Sequence, residues 1–360
     1  MKFTFPKWYD LHAHFRQDNI LTATIQSHLN MACAGILAMP NTKPPVTRVT
    51  GENTNQYWTI ESYKAELERA SNGQFLDIIV PLYLTKDTNA EMIKEGAKSG
   101  LLKSCKYSPP HGTTNSEFGA PIKTYMENGV FQAMSDAGVI LNIHGEEHGL
   151  SGEDYFGENS NAEDYFYKNY VPEIVKQFPN LKIVCEHITT KTAADFVQNA
   201  GDNIAATITP QHLLYTVADL LQGLKYHLYC LPLVKFEKDR QALLNAATSG
   251  HAKFFAGTDS APHTTKATEC GCAAGCFTGD IAPQLYAESF DLDESNKEAF
   301  ENFLCLNGPK FYGLSLSDET FTLEKMPQEF PNLKVGNQEI IPLTNGMGRP
   351  SLAWSLSKHD

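Results

Sequence analysis

The chain has 360 residues, a formal net charge of −13 and eight cysteines. That length suits one large α/β barrel or two ordinary domains, and an acidic chain repels phosphate backbones, which argues against nucleic-acid binding. No apolar run reaches the roughly 18 residues of a membrane span, and residues 1–7 are too short and polar for a signal peptide, so a cytoplasmic protein with reduced thiols is expected.

The first predicted strand covers 3–14 and runs into Asp10-Leu11-His12-Ala13-His14-Phe15-Arg16. Residues two apart in a strand share a face, so His12 and His14 set two imidazoles where one metal ion can sit. The plainer reading puts one imidazole on backbone and the other in solvent. Arg16 shares that face if the strand persists, and it adds a fixed cation suited to a small anionic substrate. Further strands are expected at 36–41, 75–84, 101–107, 139–145, 182–188, 204–209 and 254–258, with helices at 55–70, 122–137 and 162–178 among those between them. Strands and helices alternating over roughly 260 residues fit a (β/α)8 TIM barrel. A doubly wound sheet alternates similarly. However, His12, His14, Asn41, Lys106, His144, His187 and Asp259 all fall at or just after the C-terminal ends of the predicted strands. Barrel enzymes build their sites on that rim, whereas an open sheet gathers ligands at one switch point. The expected organisation is a barrel at 1–317 and a C-terminal extension at 318–360 packed on it.

Singly, His144 and His187 suit satisfied buried histidines, and Asp259 suits a turn cap. Together with His12 and His14 they exceed the needs of one four-coordinate zinc and suit two ions that share a bridging ligand. Two cations need an anion between them, and the fourth strand offers Lys106. A desolvated lysine can lose its proton and take up carbon dioxide as a bridging carbamate; the ordinary alternative is a solvated surface lysine. Cys270, Cys272 and Cys276 form either a zinc site of unusual spacing or a tight Gly/Ala-rich loop. The Glu/Asp-rich stretch 149–161 reads as a surface insertion.

The set His-x-His, strand-four Lys, strand-five His, strand-six His and strand-eight Asp resembles the amidohydrolase superfamily. Finer motifs resemble the short, stand-alone bacterial type of the dihydroorotase family. They begin with Asp10–Arg16, Met39-Pro40-Asn41-Thr42, Lys106-Tyr107-Ser108-Pro109 and Gly112-Thr113-Thr114-Asn115. They continue with His144-Gly145-Glu146, Glu186-His187-Ile188-Thr189-Thr190 and Ile208-Thr209-Pro210-Gln211-His212-Leu213, then with 257–263 and 270–276. Gln17, where an acidic residue is common, and Phe15, in place of a usual leucine, are modest departures.

The resemblance implies a reversible cyclisation of N-carbamoyl-L-aspartate to dihydroorotate at a binuclear zinc centre with a bridging hydroxide. It implies His12, His14 and Asp259 on one zinc ion, His144 and His187 on the second, and N6-carboxylated Lys106 bridging them. Asp259 would also be the catalytic acid/base. Arg16, Asn41 and His263 would hold the substrate carboxylate. Leu231, Ala274 and Gly275 would approach the pyrimidine ring through backbone groups. Thr113 and Thr114 would ride a mobile loop, which fits the breaker-rich Pro109-Pro110-His111-Gly112. The cysteine cluster would then line the substrate pocket, and a ligand at residue 12 leaves no room for an N-terminal β-domain. A homodimer is the expected assembly. The competing readings are a hydantoinase or allantoinase acting on an uncharged ring, a non-catalytic barrel scaffold, and a zinc-dependent nucleic-acid binder. The Arg16, Asn41 and His263 set, the complete set of ligand types and the acidic charge disfavour them in that order.

Overall fold

The computed structural model describes residues 1–269 and 271–359. The expected strand 3–14 is two strands with different partners. β1 (Lys2–Pro6) and β2 (Trp8–Ala13) meet at Lys7, whose N–H donates to the Glu319 carbonyl at 2.9 Å. Pro6 has no N–H to continue a ladder. The chain therefore changes sheets there and enters the barrel at Trp8.

The barrel continues with β3 (Cys33–Ala38), β4 (Asp77–Ile79), β5 (Leu82–Tyr83), β6 (Ser104–Tyr107), β7 (Ile140–His144), β8 (Ile183–Glu186), β9 (Ile204–Ile208) and β10 (Phe254–Ala256). Hydrogen bonding joins β2-β3-β4 in one parallel run and β5 through β10 in another. β4 and β5 are the two halves of the third barrel strand, interrupted at Val80-Pro81, where Pro81 again lacks a donor. The opposite seam closes beyond the end of β10. Ala13 and Ser260 form a parallel bridge, the Asp259 N–H donates to the His12 carbonyl at 2.8 Å, and the His14 N–H donates to the Ser260 carbonyl at 2.9 Å. Leu11, Leu37, Ile79, Ile140, Val184 and Phe255, from six of the strands, form one buried cluster inside the barrel. A larger apolar layer separates strands from helices. Strands covered on both faces read as continuous apolar runs, which is why they were legible.

Helices are shorter than the periodicity predicts. The helix expected at 55–70 starts only at Ile60, where Thr59 forms a capping box with Ser62. Gly129, at φ 83°, splits 122–137 into Ile122–Glu127 and Val130–Ala137. Pro172 opens a new helix, Val171–Gln177, after Ala162–Asn169. Beyond the barrel, β11 (Thr320–Glu324) pairs antiparallel with β1 on one side and with β12 (Ser355–His359) on the other. Phe3, Phe5, Phe321 and Leu323 are buried there, with the Phe5 ring 5.2 Å from Phe300. No helix among the described residues is long and apolar enough to cross a membrane.

Candidate metal centre and substrate pocket

The β10–β2 seam brings Asp259 against the first strand. His12 Nε2 lies 3.4 Å and His14 Nε2 3.1 Å from the same oxygen, Asp259 Oδ1. The His187 ring centre is 4.8 Å from that of His12 and 4.7 Å from that of His144. Ligand atoms of His12, His187 and Asp259 lie within 4.8 Å of one another. Lys106 enters from β6, paired with Asn142 of β7, and its Nζ is buried with no hydrogen-bond partner. Lys103, three residues earlier, is exposed.

Two local departures from regular strand geometry assemble this group. The β2–β3 register shifts between Asp10 and Ala13, a bulge that re-aims side chains at the end of the strand. His187 has a left-handed φ of 39°, so Glu186 and His187 both reach His12 although neighbours in a regular strand face apart. Arg16 (φ 59°) and Asp259 (φ 48°) share this conformation. It costs about 1–3 kcal/mol at a non-glycine residue and collects at working sites.

The donor chemistry fits divalent cations. Glu186 Oε2 lies 2.6 Å from His12 Nδ1, and a carboxylate only accepts there, so His12 carries its proton on Nδ1 and turns the Nε2 lone pair to the cluster. Glu146 Oε2 holds His144 Nε2 in the same way at 2.8 Å and leaves Nδ1 free. His187 Nδ1 is buried without a partner. Burial pulls His14 down to about 4 and lowers His144 and His187 as well, so all three favour the neutral, ligating imidazole. Burial pushes Asp259 up, but its hydrogen bond with His14, helped by the nearby His12 and Lys106, outweighs this and brings it to about 2. Burial lowers Lys106, against the pull of Glu186 and Asp259.

A second layer of buried carboxylates supports the histidines. Glu186 also accepts from Thr207 Oγ1 at 2.7 Å and from Asn142 Nδ2. Asp10 accepts from the Thr258 N–H at 3.0 Å and Thr258 Oγ1 at 2.6 Å, and it contacts His28 Nε2 at 3.0 Å, tying the two closing strands together. Lys235 lies 3.8 Å from Glu146. Glu163 accepts from both N–H and Oγ1 of Thr189 and Thr190, bracing the turn after His187, although burial pushes its carboxyl up to about 7.

Beside the cluster, His14, Arg16, Asn41, Thr113, Thr114, Leu231, Asp259, Ala274 and Gly275 line one pocket. A larger hollow of about 750 Å3, lined by residues such as Lys43, Arg48 and Tyr57, holds none of them. Residues 109–115 lie across the mouth. Asn41 Nδ2 donates to the Thr114 carbonyl at 2.9 Å, Asn115 Nδ2 to the Asn41 carbonyl at 3.0 Å, and Thr114 Oγ1 to the Ala274 carbonyl at 3.4 Å. His263 Nε2 stands 2.9 Å from the Ala274 carbonyl and 3.4 Å from Arg16 Nη2. A carbonyl can only accept, so Nε2 bears the proton and meets Arg16 donor to donor. Burial, then Arg16, lower His263 to about 3, which keeps it neutral. Arg16 Nη1 and Asn41 Oδ1 are buried without partners, and among the described residues Arg16 forms no ion pair.

Sequence reasoning missed Asp10, Glu186, Glu146, Lys235 and Lys266. For Asp10, Glu186 and Glu146 the one signal was a charged residue within or just beyond an apolar strand, close to a candidate ligand; Lys235 and Lys266 lie in loops and gave none. Of the cysteine cluster, Cys270 lies outside the described residues; Cys276 is buried and Cys272 half-buried, and neither appears in the histidine–aspartate group.

No protein-family model matches the chain. The chain is 40% identical over 338 residues to a dihydroorotase of Psychromonas ingrahamii, a match covering 93% of this chain and 94% of that one. It resembles the crystal structure of Saccharomyces cerevisiae dihydroorotase in complex with 5-fluoroorotic acid, with a TM-score of 0.86, 26% identity and 99% of both chains covered. A dihydroorotase structure from Campylobacter jejuni matches with a TM-score of 0.81 and 29% identity, covering 99% of this chain and 97% of that one.

Proposed function

The chain belongs to the dihydroorotase family of the amidohydrolase superfamily, and from that premise we propose how its barrel mouth works. The enzyme is a cyclic amide hydrolase of pyrimidine biosynthesis, interconverting N-carbamoyl-L-aspartate with (S)-dihydroorotate and water. One observation carries the substrate assignment: Arg16 is a half-buried residue whose Nη1 is buried and unpartnered in the pocket that adjoins the histidine cluster. An unpaired buried cation is costly, and an incoming carboxylate supplies its partner in a two-pronged geometry. The same carboxylate, seated between Arg16 and His263, relieves their donor–donor contact. Asn41 would complete the carboxylate site through the second N–H of its Nδ2, the first being given to the Thr114 carbonyl.

The family implies a metal cofactor. In our reading His12, His14 and Asp259 would hold one zinc ion, His144 and His187 would hold a second, and Lys106, N6-carboxylated, would supply the anionic ligand shared by the two. The carbamate forms when neutral Nζ adds to carbon dioxide: a nitrogen–carbon bond forms and one proton leaves. Burial of Nζ without a hydrogen-bond partner supports this. When bound, the pair supplies an acidified water and a Lewis acid for the amide carbonyl. In ring opening, Asp259 takes the proton of the attacking water and delivers it to the departing ring nitrogen; in ring closure it runs the same path backwards. Glu186 and Glu146 fix the tautomers of His12 and His144. Thr113 and Thr114 close the pocket against solvent. Leu231, Ala274 and Gly275 face the ring through backbone groups. Gly275 is required there, since at φ 138° a Cβ would stand 2.5 Å from Ala261 Cβ.

We also propose that residues 1–317 are the catalytic barrel and 318–360 the extension, with β1 sewn into the extension's sheet, and that the enzyme is a cytoplasmic homodimer.

The test is turnover of dihydroorotate beside an uncharged hydantoin, before and after chelation. Turnover of dihydroorotate alone, lost on chelation and restored by zinc, is expected; preference for the hydantoin overturns the reading. Arg16→Lys replaces a planar fork by a point charge. Its KM for dihydroorotate rises roughly 10–100-fold, about 1.4–2.7 kcal/mol, with a smaller change in kcat. An unchanged KM removes Arg16 from the carboxylate site.

A further inference from the structure

The pocket wall that faces the ring is held from behind by a residue that none of this chemistry uses. Lys266 is buried, and its Nζ donates to the Tyr229 carbonyl at 2.7 Å and to the carbonyls of Ala273 and Gly275. Among the described residues no carboxylate pairs with it. An ammonium has three N–H donors, and all three are spent on main-chain oxygens. Burial pulls Lys266 below the ordinary lysine value, yet three acceptors are matched only by the ammonium form.

Those carbonyls belong to the two segments that line the ring side of the pocket. Tyr229 lies two residues before Leu231, and Ala273 and Gly275 flank Ala274. Further bonds lock the segments together: Gly275 N–H to the Tyr229 carbonyl at 2.9 Å, and Ala273 N–H to the Lys266 carbonyl at 2.8 Å. In a planar trans peptide the C=O and the next N–H point opposite ways. Drawing the Ala273 carbonyl back to Lys266 therefore turns the Ala274 N–H away from it, and the Ala274 carbonyl faces His263 and the lid residue Thr114. Lys266 thus decides which peptide groups of the wall are donors and which are acceptors.

We propose that Lys266 is a specificity-determining positioning residue: from behind the 271–276 loop it orients the main-chain groups that recognise the amide face of a cyclic ureide, leaving the carboxylate site to Arg16. The inference rests on the dihydroorotase reading of the pocket.

Lys266→Met keeps the aliphatic stem and removes all three donors; Lys266→Gln is a second, smaller change. Each full-length, zinc-loaded variant is assayed for kcat and KM with dihydroorotate, for inhibition by 5-fluoroorotate, which carries ring and carboxylate, and by succinate, which has carboxylates and no ring, and for zinc content. We expect KM and the 5-fluoroorotate inhibition constant to rise together by about tenfold in a variant that folds. Succinate inhibition and zinc content hold, and kcat falls less than KM rises. Parallel weakening of succinate and 5-fluoroorotate, or loss of zinc, assigns Lys266 a purely structural role and overturns the proposal, as does an unchanged KM. Failure of both variants to fold also overturns it in favour of the structural role. A parent enzyme inert toward dihydroorotate overturns the underlying substrate reading; an active parent with unaltered variants overturns only the role of Lys266.

Discussion

Asp259→Asn yields an enzyme that folds, retains part of its zinc and turns dihydroorotate over about 10³-fold more slowly, some 4 kcal/mol of barrier. The amide has the shape of the carboxylate, and its oxygen can occupy the position that faces both His12 Nε2 and His14 Nε2. What it lacks is a site that accepts and returns a proton. Oδ1 is the oxygen engaged by the imidazoles, so Oδ2 is the one left for proton transfer, and in asparagine that position is an NH2. KM changes little, because Arg16, Asn41 and His263 are untouched. Steady-state kinetics in both directions, with zinc content by elemental analysis, make the check. Activity within tenfold of the parent removes Asp259 from proton transfer.

The second large effect is at Lys106. In Lys106→Ala we expect zinc binding to weaken severely and kcat to fall by about 10³-fold or more, since losing even an outer-layer partner of a metal ligand costs roughly 10–100-fold. Removing an ordinary buried lysine from the barrel would not have this pattern, because burial with no partner makes that amine a liability to the fold. Added formate or acetate, which can enter the vacated space and supply a carboxylate, should restore part of the activity. Native mass spectrometry of the parent should show the added mass of one carbon dioxide, lost on acidification and traced to Lys106. A parent of unmodified mass with full activity overturns the bridging carbamate.

The barrel was legible because its strands are buried on both faces and announce themselves as apolar runs such as 36–39. The lengths of the elements were less legible. Whether 3–14 is one strand or two depends on Glu319 and on the partner strand at 320–324, more than three hundred residues away, and no local pattern carries that. His12, His14, Lys106, His144, His187 and Asp259 were readable because each sits at a strand end, and the structure gathers them at one end of the barrel. The carboxylates behind them were not. Glu186 faces the barrel interior as Val184 does, but its partner His12 is on a strand far away in sequence, and Asp10 finds its partner, His28, on a helix of the outer layer. Which groups meet those carboxylates is set by chain segments distant in sequence, and local periodicity names none of them. Lys266 was unreadable for a different reason: its partners are carbonyls, which every residue has.

The seam between β10 and β2 also dictates when the enzyme can mature. Thr258 and His12 touch across a separation of 246 residues, and Thr4 meets Thr322 across 318. During synthesis the aspartate that faces the first two histidines leaves the ribosome well after them, its neighbour Thr258 being 246 residues beyond His12. Contacts this distant in sequence form late. On the proposed ligand set, a nascent chain carries His12 and His14 before Asp259 can join them, and metal capture waits for barrel closure. Destabilising the seam, for instance at Asp10 or Thr258, would slow acquisition of activity after refolding even where the finished enzyme is fully active.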